Sequence, residues 1–279
     1  PQINVMPRLA FSFPISEDAG FFAHYDVLYQ RPPSNGFASA LDYYFWGDIS
    51  RINPNGAPLN NPNLRPIRTI DYEVGFQQKL SNTSALKISA YYKEMKDLIQ
   101  QRVFANVAAP LNTYKMFDNL DFGTVKGFSF TLDRRRVSNL ELTATYTLQF
   151  ADGSGSDANS SNGINNRGPI RNLIPLSFDE RHRITGVIDY RFDRGKRYDG
   201  PKIGGVAILE DFGVNINTFL VSGQPYTRAL NPSPFGGTGF LGSINEARLP
   251  WNVTVDLRID KRFPVTISKE SNRKMWFNA

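Results

Sequence analysis

Apolar and polar residues alternate strictly along much of this chain, in runs long enough to cross a bilayer as tilted strands, which takes about 9 to 11 residues. Tyr72, Val74, Phe76 and Leu80 alternate with Asp71, Glu73, Gln77 and Lys79. Leu86, Ile88, Ala90 and Tyr92 do so against Lys87, Ser89, Tyr91 and Lys93. In the clearest run, Leu140, Leu142, Ala144, Tyr146, Leu148 and Phe150 interleave with Glu141, Thr143, Thr145, Thr147 and Gln149. Ile184, Ile188, Tyr190 and Phe192 alternate with Arg183, Thr185, Asp189 and Arg191, and Trp251, Val253, Val255, Leu257 and Ile259 with Asn252, Thr254, Asp256, Arg258 and Asp260. A period of two puts each set on one face of a strand, and a helix cannot present this order. Weaker runs lie at 9–15, 21–29, 125–132 and 214–221. The pattern predicts an all-β chain of antiparallel up-and-down strands of transmembrane-barrel type, about nine spans and the start of a tenth. Tyr146, Leu148, Ile188, Val253 and Leu257 are expected to face lipid, and Glu141, Thr145, Asp189, Asp256 and Arg258 the lumen.

The connections alternate in length. Short links fall at 16–20, 81–83 and 137–139, and long ones at 32–68, 100–119, 152–180 and 224–250. Up-and-down order then places every long loop at one end, as in outer-membrane barrels with short periplasmic turns and long external loops. The links at 194–207 and 264–274 are of medium length and fall on the short-turn side. Residues 153–166, GSGSDANSSNGINN, and 231–242, NPSPFGGTGFLG, are too small, polar and turn-rich to supply a packed core. Aromatic residues gather near strand ends, at Phe21 and Phe22, Tyr91 and Tyr92, Tyr190 and Phe192, and Trp251. Such girdles suit headgroup depth, where amphipathic rings are favoured.

Residues 61–75, NPNLRPIRTIDYEVG, resemble the segment that opens a barrel strand in TonB-dependent outer-membrane receptors, of the form NPxLxPExxxxYExG. Asn61, Pro62, Leu64, Pro66, Tyr72, Glu73 and Gly75 match, while Ile67 stands where the family usually has Glu. Residues 125–133, VKGFSFTLD, are similar to a recurrent strand of that family, with Ser129 where an acidic residue is common. Residues 178–183, FDERHR, resemble a strand start in receptors of large substrates, including those with an N-terminal carboxypeptidase-regulatory-like domain, and 252–262 resemble a late barrel strand. The resemblance implies a barrel of about 22 strands around an N-terminal plug, energised through a TonB box. About nine to ten spans are too few for that barrel, so the resemblance implies a partial transmembrane barrel, an open curved sheet with edges near Leu9 and Met275, with plug, TonB box and last strands outside residues 1–279, which form part of one barrel domain. The implied partners are outer-membrane lipid, the TonB complex and an unidentified transported ligand.

Composition narrows the alternatives. The chain has 279 residues, 41% of them hydrophobic, and charges or prolines break every apolar run well short of a membrane-spanning helix. It starts at Pro1 without a charged-then-apolar leader, so the leader is expected to have been removed or the chain to start within a longer protein. With no cysteine, disulfides and thiolate metal sites are excluded. The net charge of +6 comes from basic residues set among alternating strands, which does not point to nucleic acid. Basic groups at 134–136, 194–197, 261–262 and 273–274 fall on the predicted periplasmic side, where solvated turns are expected.

Candidate chemistry is sparse. His24 and His182 lack a GxSxG elbow or an acidic partner at readable spacing, so no catalytic residue and no enzyme activity is expected. Asp152, Asp157 and Asp179 lack the DxDxDG spacing of a calcium loop, and no metal or other cofactor is expected. Two places could meet a ligand. Tyr43, Tyr44 and Trp46 sit in a long external loop and could stack on sugars or peptide side chains; Arg181 and His182, in a charge cluster at a strand mouth, could touch ligand or plug, or be solvated. The preferred function is energised uptake of a large or scarce nutrient; a passive porin or adhesin barrel, and a soluble β-sandwich binding module, remain as alternatives.

Overall fold

The computed structural model describes residues 3–32, 58, 61, 63–106, 113–158, 172–233, 236–268 and 273–278, the side chains of 236, 238, 263–268 and 273–278 excepted. Ten strands, with the two-residue strand Ile174–Pro175 added on the end of the sixth, form one open sheet: β1 (Arg8–Ser16), β2 (Ala19–Gln30), β3 (Ile67–Ser81), β4 (Ser84–Ala105), β5 (Thr113–Val137), β6 (Leu140–Gly153), β7 (His182–Arg191), β8 (Phe212–Val221), β9 (Asn252–Ser268) and β10 (Arg273–Asn278). Their order in the sheet is their order in the chain, and β1 and β10 are its edges. Neighbours pair antiparallel throughout, as hairpin connections dictate. A sandwich would need a second large sheet packed on the first, whereas the further sheets described are two-stranded. Among the described residues the helical element is one turn of 3-10 helix, Gly195–Arg197, and no helix is long and apolar enough to cross a membrane.

Register sorts the side chains, because residues directly opposite across an antiparallel pair share a face. One row runs Phe13, Phe21, Phe76, Ile88, Phe130, Tyr146, Ile184, Leu220, Val253 across nine strands. Another runs Leu142, Ile188, Ile216, Leu257. Shifted by one residue, the rows become polar: Gln77, Lys87, Thr131, Thr145, Thr185 and, further on, Glu141, Asp189, Asn215, Arg258. The expected division of Tyr146, Leu148, Ile188, Val253 and Leu257 from Glu141, Thr145, Asp189, Asp256 and Arg258 is therefore the division found. No residue of these two rows is buried, and Phe13, Phe130, Ile184, Ile188, Val253 and Leu257 are exposed, with no protein layer over them among the described residues. The sheet presents this apolar surface without burying it, as a wall facing hydrocarbon must.

Two links differ from their expected lengths. β4 and β5 stay paired up to Ala105 and Thr113, so the connection is 106–112 and the expected loop at 100–119 is mostly ladder. Polar Gln100, Gln101 and Asn119 read as loop in the sequence, but the two strands satisfy each other's backbone well past the apolar band. A hairpin arm of 22 residues spans roughly 70 Å at 3.3 Å per residue, so it projects beyond any bilayer. Likewise β9 continues through Pro264 to Ser268, leaving only 269–272 between it and β10. Proline ends a helix but is accommodated in this ladder opposite Trp276.

Candidate functional site at the long-loop end of the sheet

The polar face forms a wall. Asp71, Glu73, Lys87, Ser89, Tyr91, Lys93, Ser129, Thr131, Thr147 and Gln149 line a concavity of about 360 Å³ on it. Lys93 donates to Asp71 at 2.7 Å, the Tyr91 hydroxyl to Gln149 at 3.2 Å, and the Thr131 and Thr145 hydroxyls meet at 3.1 Å. Two glycines are covered by the rings opposite them. A Cβ at Gly75 would fall 2.0 Å from the Phe22 ring, and one at Gly127 would fall 2.4 Å from the Leu148 carbonyl oxygen and 2.6 Å from the Tyr91 hydroxyl. An aromatic side chain lying over a strand glycine restores packing that the glycine lacks.

At the long-loop end, the 61–75 segment docks on the projecting β4–β5 arm. The Asn61 side chain accepts from the Asn63 amide at 2.9 Å and donates to the Phe117 carbonyl at 3.0 Å, closing an Asx turn against β5. That turn sets Leu64 into a small core with Ile99 and Phe117. Asn119 then clasps Arg65, accepting from its amide at 2.7 Å and donating to its carbonyl at 2.9 Å, while Arg65 pairs with Asp97 at 2.7 Å. Asp97 has φ of 60° where the β4–β5 register shifts between Met95 and Leu98.

Asp121 lies beyond the apolar rows, buried under the start of the loop after β6. Ser154 and Gln100 donate to its two carboxylate oxygens, each at 2.9 Å. Burial pushes its carboxyl above the ordinary carboxylate range, against the opposing pull of those two hydrogen bonds. Beside it, Leu176 closes over Val125 and Ala151.

The loops after β6 and β8 are tied together through Asp179, whose side chain is 0% exposed. A buried carboxylate must be paired and hydrogen-bonded to persist. Asp179 accepts from the Ala151 amide at 3.0 Å and from Arg181 at 3.0 Å, and it pairs with Arg248. Arg248 also donates to the Asp179 carbonyl at 2.7 Å, and Asn245 to the Pro175 carbonyl at 2.8 Å.

Arg181 and His182 are adjacent in sequence but engage different surroundings. The Arg181 guanidinium reaches Asp179 and lies over the Phe150 ring at 4.4 Å. His182 shares the apolar face with Leu148, stacked between Tyr146 and Trp251 at 6.2 and 5.8 Å, with Nδ1 2.9 Å from the Tyr146 hydroxyl. His24 sits on the polar face, opposite Glu73. Tyr43, Tyr44 and Trp46 lie outside the described residues. Sequence reasoning missed Asp121, Gln100 and Arg248. Gln100 and Asp121 carried one usable signal, polar residues continuing beyond an alternating strand, whereas Arg248 sits in a loop with no period to mark it.

The family model of the TonB-dependent receptor-like β-barrel matches residues 4–276. No curated protein matches the sequence. Among solved structures, the chain is similar to the outer membrane transporter YddB from Escherichia coli, with a TM-score of 0.58 and 12% identity over 92% of this chain and 34% of that one. It is also similar to the ferric-catecholate import receptor Fiu from K12 E. coli, at 0.55 and 12%, over 94% of this chain and 28% of that one. The ferric yersiniabactin uptake receptor FyuA from Yersinia pestis aligns at 0.51 and 12%, over 92% and 29%. At such identities the likeness shows the fold, and the chain spans about a third or less of these proteins' own length. With the family model matching nearly its whole length, the chain belongs to the TonB-dependent receptor-like β-barrel family.

Proposed function

We propose that the chain is part of the wall of a TonB-dependent receptor importing a scarce or large nutrient across the bacterial outer membrane. One observation carries this reading: the apolar row running from Phe13 to Val253 and the polar wall occupy opposite faces of a single sheet whose three longest connections, 31–66, 154–181 and 222–251, all lie at one end. The apolar face suits lipid, the polar face a water-filled or plugged lumen, and the long loops the cell exterior. Both edge strands need partners inside a membrane, because hydrocarbon cannot hydrogen-bond a bare strand edge. Further strands are therefore expected to pair with both edges, and the family likeness implies a plug and a TonB box, all from sequence beyond these 279 residues, which form part of one barrel domain. Ligand capture is assigned to the external loops, with Tyr43, Tyr44 and Trp46 as stacking groups and Arg181 at the adjoining strand mouth, while His182 faces lipid with its row. No enzymatic step is proposed.

Single cysteines at Asp157 and Ser138 test the topology in intact cells. A membrane-impermeant maleimide should label position 157 at once and position 138 only after permeabilisation; labelling of both in intact cells would overturn the orientation. Transport is tested by comparing uptake of radiolabelled ferric chelates, which two of the similar receptors carry by name, and of oligosaccharides and peptides, with and without TonB. Uptake of one of these should vanish without TonB. Uptake indifferent to TonB would instead support a passive barrel.

A further inference from the structure

The link from β7 to β8 is too ordered for a simple solvated turn. Tyr190, at the end of an apolar row, meets Phe192 edge-on at 5.3 Å, and Phe192 meets Tyr198 at 5.9 Å, so the link grows directly out of the apolar face. Tyr198 is buried, and its hydroxyl donates to the Pro201 carbonyl at 2.6 Å and accepts from the Leu209 amide at 3.3 Å. These bonds hold up a two-stranded hairpin in which Lys202–Ile203 pairs with Val206–Ala207. Its turn residues, Gly204 and Gly205, have φ of 57° and 83°, the left-handed pair that a tight type I′ hairpin demands and that glycine adopts without strain. The hairpin carries Ile203 and Val206 opposite each other, 67% and 64% exposed. Lys261, in register with Phe212, donates to the Ile208 carbonyl and ties the returning arm to β9.

The charges are arranged asymmetrically. Glu210 accepts from the Gly195 amide at 2.6 Å and pairs with Arg194 at 3.7 Å, Arg194 also reaches Asp211 at 4.0 Å, and Asp199 accepts from Asn139 at 2.5 Å. These acids are engaged within the protein and Asp193 is half-buried, whereas Lys196 and Arg197 in the 3-10 turn and Lys202 on the first hairpin strand stand exposed.

We propose that residues 192–208 are an interfacial anchor for the periplasmic leaflet, with Ile203 and Val206 entering the acyl boundary and Lys196, Arg197 and Lys202 binding anionic phospholipid headgroups. An apolar hairpin tip with exposed cations near it in the chain, on a link joined to the apolar face through Tyr190, Phe192 and Tyr198, has the chemistry of a membrane-surface binder. The proposal rests on the outer-membrane wall reading above, since it needs the apolar face to meet lipid.

The test uses the full-length receptor in vesicles of phosphatidylcholine, alone or with phosphatidylglycerol. Residues 1–279 have no cysteine, so with any cysteine elsewhere in the receptor replaced, one nitroxide label can be placed at Ile203→Cys, Val206→Cys, Lys196→Cys or, as the reference for the apolar face, Leu257→Cys. Labels at 203, 206 and 257 should be severalfold more accessible to dissolved oxygen than to a polar nickel chelate, and the label at 196 the reverse. Phosphatidylglycerol should drive 203 deeper, and the variant K196Q/R197Q/K202Q should lose that dependence, each basic residue contributing about fivefold in preference for an anionic surface. Lipid exposure at 257 with water exposure at 203 and 206 would overturn the anchor alone. Water exposure at 257 as well would overturn the anchor together with the wall reading. A label at 203 that is immobilised yet reached by the nickel chelate would point to a protein partner and likewise sink the proposal.

Discussion

At the scale of single residues, neighbours in this sheet have opposite duties. Leu257 sits in register with Ile216 on the apolar face, and Arg258 with Asn215 on the polar one. A charge near the middle of a lipid-facing band costs about 2–4 kcal/mol, while a lumen-facing substitution is tolerated. Leu257→Arg should therefore reduce the heat-modifiable receptor recovered in outer membranes far more than Arg258→Leu, on semi-native gels of the full-length protein. Equal losses would contradict the assignment of faces. Motif residues also gain a physical reason at this scale: Leu64 fills a pocket made by Ile99 and Phe117, and Gly75 and Gly127 are the places where Phe22 and Tyr91 lie flat on the strand.

At the scale of elements, the β4–β5 arm and the loops around it are held by buried polar groups, which makes their order depend on pH. Asp121 has a folded-state carboxyl raised by burial, so the contribution of this contact is complete when the group is protonated and is lost as pH rises through its folded value. The window opens above the ordinary carboxylate value of 3.8. Asp121→Asn should remove that slope. Hydrogen exchange at Ser154, whose amide donates to the Phe122 carbonyl at 3.0 Å, should quicken from acidic to neutral pH in the native protein after correction for intrinsic exchange. In the variant it should stay flat, and parallel profiles would show that burial of Asp121 does not govern the loop.

At the scale of the whole molecule, an open sheet of ten strands presents two unsatisfied edges and an apolar face to its surroundings. Strand tilt and stagger set a curvature that belongs to a wider ring, so these residues alone should not close. Expressed alone and refolded in detergent, residues 1–279 should aggregate or remain sensitive to protease in the loops. A monodisperse, heat-resistant barrel from this piece would refute the need for further strands.

The sequence by itself determined strand identity, face and order. A period of two is a local property written into each run, and alternating loop lengths impose up-and-down pairing without any long-range information. It also marked the 61–75 segment and the basic groups on the short-turn side. It misjudged the β4–β5 arm, because a hairpin outside a bilayer is stabilised by its ladder and by Asn61, Leu64 and Asn119, none of which leaves an apolar period. Only the tertiary structure brought Asp179 to Arg248 across 69 residues, set His182 among rings on the apolar face, and joined the aromatic end of β7 through Phe192 to Tyr198 in a link whose hairpin exposes Ile203 and Val206. Periodicity reports which way a strand's side chains point, whereas contacts between loops depend on where separate strands end, and that is settled when the sheet's register assembles.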